Sequence, residues 1–175
     1  MNDCLISVDG TDLRIPQQGH VAKGNPWASH KYAGKSALRY ELGVDIITGH
    51  LVWINGPFPA GAFPDVDIFW SCLSLWLDRD EHVEADDGYI GDAPYKVKCP
   101  ASLTNPDKTQ AMQSIVRMRQ ETINMRLKQW EILKQVYRHD ITKHGYVLRA
   151  VAVVVQVAIE NGKPLFQVDY NDLSL

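Results

Sequence analysis

Cysteine is scarce in this chain. Cys4, Cys72 and Cys99 are the only three among 175 residues, and no two form a Cys-x-x-Cys pair. Isolated thiols of odd number exclude a disulfide framework and a zinc ribbon, and they suit a reducing compartment. No apolar run approaches the length of about eighteen residues that a transmembrane helix requires, so no membrane partner is expected. The opening MNDCLISVDG has neither the basic start nor the long apolar centre of a signal peptide. Internal repeats, low-complexity tracts and linkers are missing as well, which points to a single α/β domain over residues 1–175. Charge of one sign is not in large excess: 18 Lys and Arg against 21 Asp and Glu leave a net charge of −3. Taken as an average, that argues against a nucleic-acid partner.

What is present alters this picture. A hydrophobic fraction of 45% is enough for an ordinary core. Between Lys108 and Arg149 there are nine Lys or Arg and only three acids (Glu121, Glu131, Asp140), a local balance of +6. The remainder is acidic, and the basic stretch reads either as a solvated helix face or as a surface for phosphate.

Residue patterning predicts a first strand over Cys4–Val8 that runs into a turn at Asp9-Gly10-Thr11-Asp12. A hairpin follows over Ala37–Ile47 and His50–Ile54. The proline- and glycine-rich stretch 55–64 reads as loop. Asp65 then caps a helix over Val66–Asp78, and Glu81–Ala85 forms a short strand ending at Asp86-Asp87-Gly88-Tyr89. Residues 90–106 read as loop. A long helix is predicted over Asp107–Tyr137 and another over Gly145–Glu160, with a last short strand or extended tail at Leu165–Tyr170.

On the long helix, Val116, Ile123, Leu127 and Trp130 form an apolar stripe. Beside it lies a polar row of Arg117, Glu121, Asn124 and Lys128. Ordinary i,i+4 ion pairing explains Arg117 with Glu121. Two strand-end carboxylates, Asp9 and Asp86, permit a second explanation, in which they converge with Glu121 into a cage of hard oxygen ligands for Mg²⁺ or Mn²⁺. Carboxylates that close repel one another unless a divalent cation neutralises them. Turn chemistry also accounts for both Asp residues, since Asp-Gly and Asp-Asp-Gly are common turn formers, and the residues alone do not displace that reading.

Five stretches in order carry a resemblance: Val8-Asp9-Gly10-Thr11; Lys31-Tyr32-Ala33-Gly34-Lys35; Gly56-Pro57-Phe58-Pro59 with Gly61 and Asp65; Asp86-Asp87-Gly88-Tyr89; and Glu121-Thr122-Ile123-Asn124-Met125-Arg126-Leu127-Lys128. Together they resemble the catalytic domain of DDE-type transposases of the PIF/Harbinger group, which are related to bacterial insertion-sequence transposases. The resemblance implies a ribonuclease-H-like α/β fold, a mixed five-stranded sheet flanked by helices. It implies Asp9, Asp86 and Glu121 as catalytic metal ligands, with Asp9 bridging two Mg²⁺ (or Mn²⁺) ions and the others holding one each. Arg117, Asn124 and Lys128 would then contact the phosphates of the scissile DNA strand.

Arg117, Glu121 and Lys128 keep the spacing that the related bacterial families show, but the aromatic position before them is Ser114. The helix-turn-helix region that usually precedes the first strand has no counterpart in the five residues before Ile6. The activity implied is cleavage and joining of phosphodiester bonds at transposon ends. The partners implied are DNA, a separate Myb-like DNA-binding protein and a second copy of the chain. The compartment is the nucleus for a eukaryotic source and the cytoplasm for a bacterial one. Two other classes compete: a catalytically silent DNA- or protein-binding descendant, and a hydrolase of RNA–DNA hybrids.

Overall fold

The computed structural model of the chain describes residues 4–20, 24–102 and 106–166, with side chains throughout except at positions 5, 102 and 106–116. Five strands, β1 (Cys4–Arg14), β2 (Ala37–Asp45), β3 (Leu51–Pro59), β4 (His82–Glu84) and β5 (Val97–Lys98), form one sheet in the order β3-β2-β1-β4-β5. The sheet is mixed. β2 pairs antiparallel with both β1 and β3, whereas β4 pairs in parallel with both β1 and β5. Helices α1 (Asp65–Ser71) and α2 (Leu73–Trp76) pack on one face; α3 (Pro106–Lys128), α4 (Glu131–Lys134) and α5 (His144–Glu160) pack on the other.

Because successive strand residues point to opposite faces, β2 presents Leu38, Tyr40, Leu42 and Val44 to α3 and α5. There they join Leu13, Ile123, Leu127, Leu148, Val151 and Val155 in the larger core. A smaller core on the opposite face gathers Val8 and Val83 with Phe69, Leu73 and Tyr89. With helices on both faces, β2 is buried along nearly its whole length, and each fully buried Leu or Ile contributes about 1.5–3 kcal/mol. Among the described residues no helix is long and apolar enough to cross a membrane.

Several elements differ from the sequence expectation. Asp9-Gly10-Thr11-Asp12 is not a turn. β1 continues to Arg14, paired with β2 from Ile6 to Arg14, and the charge of Asp12 is accommodated there by Arg39 and Ser29. β3 runs through Gly56-Pro57-Phe58-Pro59 instead of stopping at Ile54, because it is an edge strand, where a missing N–H costs no outer ladder bond. β5 lies in a stretch expected to be loop. The first helix breaks at Cys72, where the Ser71 and Ser74 hydroxyls donate to the carbonyls of Ile68 and Trp70 and compete with the backbone ladder. Asp65 begins that helix but does not cap it; Pro64 occupies the cap position.

α3 ends at Lys128, well short of Tyr137. The chain turns extended at Trp130 and returns to the sheet, where the Tyr137 N–H donates to the Arg14 carbonyl over 2.9 Å. Trp130 therefore leaves the apolar stripe and is exposed, while Ile123 and Leu127 stay buried in the core. The side chains of Ser114 and Val116 lie outside the described ones. So does the end of the tail expected at Leu165–Tyr170, of which the described residues 165 and 166 form no regular structure.

Candidate functional site

Asp9 sits in the middle of β1, on the face that α3 covers. Its neighbour there is Asn124, whose side-chain amide donates to Asp9 Oδ2 over 2.8 Å. Burial pushes the Asp9 carboxyl above its ordinary range; Lys31 opposes this and the charge of Asp86 adds to it, so Asp9 and Asp86 lie within electrostatic reach of each other. Asp86 lies two positions beyond the end of β4 and caps the next turn, accepting the Gly88 N–H over 2.9 Å. Turn former and site residue thus coincide at Asp86, whereas at Asp9, inside a strand, the turn explanation fails.

The parallel pairing of β1 with β4 brings these two carboxylates side by side, and α3 crosses above them. A cavity of about 170 Å³ lies at this junction, lined by Asp9, Asp86, Arg117 and Glu121 together with Ser7, Glu84 and Gln120. Three of the expected carboxylates and one expected cation therefore meet, although they come from positions 9, 86, 117 and 121. Arg117 and Glu121 are exposed at its rim. Lys128 is half-buried on the other side of Asp9. Burial and the nearby charge of Lys31 pull its ammonium below the usual lysine range, and Asp12 and Asp9 oppose them. Among the described residues, no three His, Cys, Asp or Glu side chains are disposed to hold one metal ion as they stand.

Several residues of the site escaped the sequence reading. Ser7 and Glu84 precede Asp9 and Asp86 by two positions, and the two-residue period of a strand sets each beside its partner on one face. That period was a usable signal. Glu84 is buried, its Oε2 has no hydrogen-bond partner, and burial pushes its carboxyl up to about 7. On the opposite face of β1, Asp12 accepts Arg39 Nε over 2.8 Å, Arg39 Nη2 over 3.1 Å and the Ser29 hydroxyl over 2.6 Å. The same guanidinium reaches Asp65 Oδ1 over 3.5 Å, and the Lys31 ammonium donates to the Gly10 carbonyl. These contacts clamp the β1 segment that carries Asp9. No local pattern announces them, because each joins residues far apart in the chain.

The basic stretch is not one surface. Arg119 is buried, donating to the carbonyls of Ile46 and Phe166; Arg126 bonds the carbonyls of Lys163 and Pro164, and Arg149 that of Gly56. Among the described residues, three cations of the stretch thus bond backbone carbonyls, while Arg117 lines the cavity and Lys128 lies within electrostatic reach of Asp9. Comparison with protein-family models, curated proteins and solved structures finds no match to this chain.

Proposed function

We propose that this chain is the catalytic domain of a DDE-type transposase of the PIF/Harbinger group, cleaving and joining DNA strands at transposon ends. One observation carries the reading: Asp9, Asp86, Glu121 and Arg117, drawn from two strand regions and a helix, line a single cavity. A mixed five-stranded sheet with helices on both faces supports the ribonuclease-H-like fold that goes with it.

The donor set of the cavity fits Mg²⁺ or Mn²⁺. It consists of carboxylates, a serine hydroxyl and the Gln120 amide oxygen, without imidazole or thiolate, and two buried oxygens, Glu84 Oε2 and Gln120 Oε1, lack a partner. Asp9, Asp86 and Glu121 are the residues that would hold such ions. When bound, they would activate the attacking hydroxyl or water and stabilise the departing oxygen at phosphorus. The chain's own residues prepare that chemistry. Asn124 orients the Asp9 carboxylate by its 2.8 Å hydrogen bond, and the second N–H of its amide is left for the phosphate contact expected of it. Arg117 presents a fork of donors to a phosphate entering the cavity, and Lys128 supplies a second positive charge on the far side of Asp9.

A catalytically silent, DNA-binding descendant is the second reading. It is favoured by the lack of any three ligands disposed to hold one ion among the described residues. Metal-dependent nicking of DNA by the wild type and by Glu121→Gln separates the two. The proposal expects Mg²⁺-dependent nicking that falls at least about a hundredfold in the variant; equal activity in both would sink it. DNA binding without nicking in either would establish the silent form.

A further inference from the structure

Helix α5 is apolar on both sides. Leu148, Val151, Ala152, Val155 and Ile159 are buried against the sheet and α3, yet on the outward side Val153 is 62% exposed, Val157 50%, and Tyr146 is exposed as well. A helix on the surface of a folded domain ordinarily turns polar residues outward, and a contiguous exposed apolar patch marks an interaction surface. At about 100° per residue, Tyr146, Ala150, Val153 and Val157 fall within one stripe of about 60°.

The charges beside this stripe identify its occupant. Arg149 and Glu160, both exposed, lie on the same flank of the stripe near opposite ends of the helix. A two-fold axis that brings two such helices together antiparallel sets like flank against like flank and reverses the ends. Centred at the level of Val155, it places Val153 of one copy against Val157 of the other. It also sets Arg149 beside Glu160, and the reverse, to within about one residue's rise of 1.5 Å. Arg149 spends one donor on the Gly56 carbonyl and Glu160 one acceptor on Gln156, which leaves each with further bonding capacity. Opposite charges at the two ends of one flank make the surface complementary to itself.

We infer that the outward face of α5 is a homodimer interface, closed by a two-fold axis with Val153 and Val157 at its centre and reciprocal Arg149–Glu160 pairs at its ends. Met125 and Trp130, also exposed, border α5 on the side away from that flank and widen the apolar face. The cavity between β1, β4 and α3 stays open in both copies, because α5 lies over the β2–β3 side of the sheet.

Sedimentation equilibrium of the full chain over a dilution series tests this. The wild type is expected to be a dimer that dissociates on dilution, and Val153→Glu a monomer with an unchanged circular-dichroism spectrum. Glu160→Arg weakens association roughly tenfold, since two symmetric pairs are reversed at once, and Arg149→Glu with Glu160→Arg restores it to within about threefold. Should Val153→Glu disturb folding, the charge reversal and its restoration still decide. A wild type monomeric at every concentration overturns the inference, as does a charge swap that fails to restore association. An unaltered dimer in both Val153→Glu and Glu160→Arg places the contact elsewhere and equally refutes it.

Discussion

Gly10 follows Asp9 in β1, and the surroundings of its Cα tie the site to the opposite face of the sheet. Its backbone is not in the left-handed region, so alanine is conformationally acceptable and any cost is steric. A Cβ there meets Asp65 Oδ1 at 2.0 Å and Asp65 Cγ at 2.7 Å, both below the 3.0 Å that real Cβ contacts essentially always keep. The Asp65 carboxylate must therefore retreat by about 1 Å from the new methyl group, and its contact with Arg39, long at 3.5 Å, holds it only loosely. Overpacking of this kind costs about 1–3 kcal/mol. We expect Gly10→Ala to destabilise by about 2 kcal/mol, or about 4–8 °C in melting temperature for a chain of this size. With Asp65→Ala already in place the obstacle is gone, and the same substitution should cost less than about 0.5 kcal/mol. Urea unfolding of the wild type, both single variants and the double variant gives the coupling directly. An equal cost of Gly10→Ala in both backgrounds would refute the reasoning, since it would put the strain somewhere other than the Asp65 carboxylate.

Asp12→Ala leaves the Arg39 guanidinium buried with only its contacts to the Phe63 carbonyl and Asp65, and urea unfolding should show a loss of about 3–5 kcal/mol. His144 is buried, shares a 2.7 Å hydrogen bond with the Tyr40 hydroxyl, and is held down to about 4 by that burial. Between pH 6.5 and pH 4 the unfolded chain takes up a proton at this position that the folded chain refuses. Stability therefore falls with falling pH across that window, by about 3 kcal/mol at most. Glu41 and Glu84, both raised to about 7, act with the opposite sign: the folded chain binds their protons first as pH drops from 7 towards 4.5. The expected slope is accordingly the difference between wild type and His144→Gln measured by urea unfolding at each pH. A difference that does not change with pH would contradict the assignment.

The sequence was most legible where local physics decides the outcome. The alternation in β2, the two-residue turn signal at Thr48-Gly49 and the uninterrupted run of helix formers in α3 each depend on neighbours within a few positions, and each element formed. It was least legible where distant residues change local cost. Asp9-Gly10-Thr11-Asp12 has every attribute of a turn, yet it remains strand because Arg39 neutralises Asp12, to which the Ser29 hydroxyl also donates, and because α1 sets Asp65 against Gly10. Pro57 and Pro59 read as strand breakers until the sheet order makes β3 an edge. Trp130 belongs to the apolar period of α3, but the bond from Tyr137 to Arg14 draws the chain off the helix axis before the period can be completed. The candidate site shows the same division. Arg117, Glu121, Asn124 and Lys128 were legible as one helical row, and Ser7 and Glu84 could have been found from the strand period. That the row lies over Asp9 and Asp86 depends on the parallel pairing of β1 with β4, which no local pattern encodes. The network beneath β1 is therefore the better test of the proposed site. If clamping Asp9 is its purpose, loosening Asp65, Arg39 or Lys31 should raise the Mg²⁺ concentration needed for nicking before it abolishes folding.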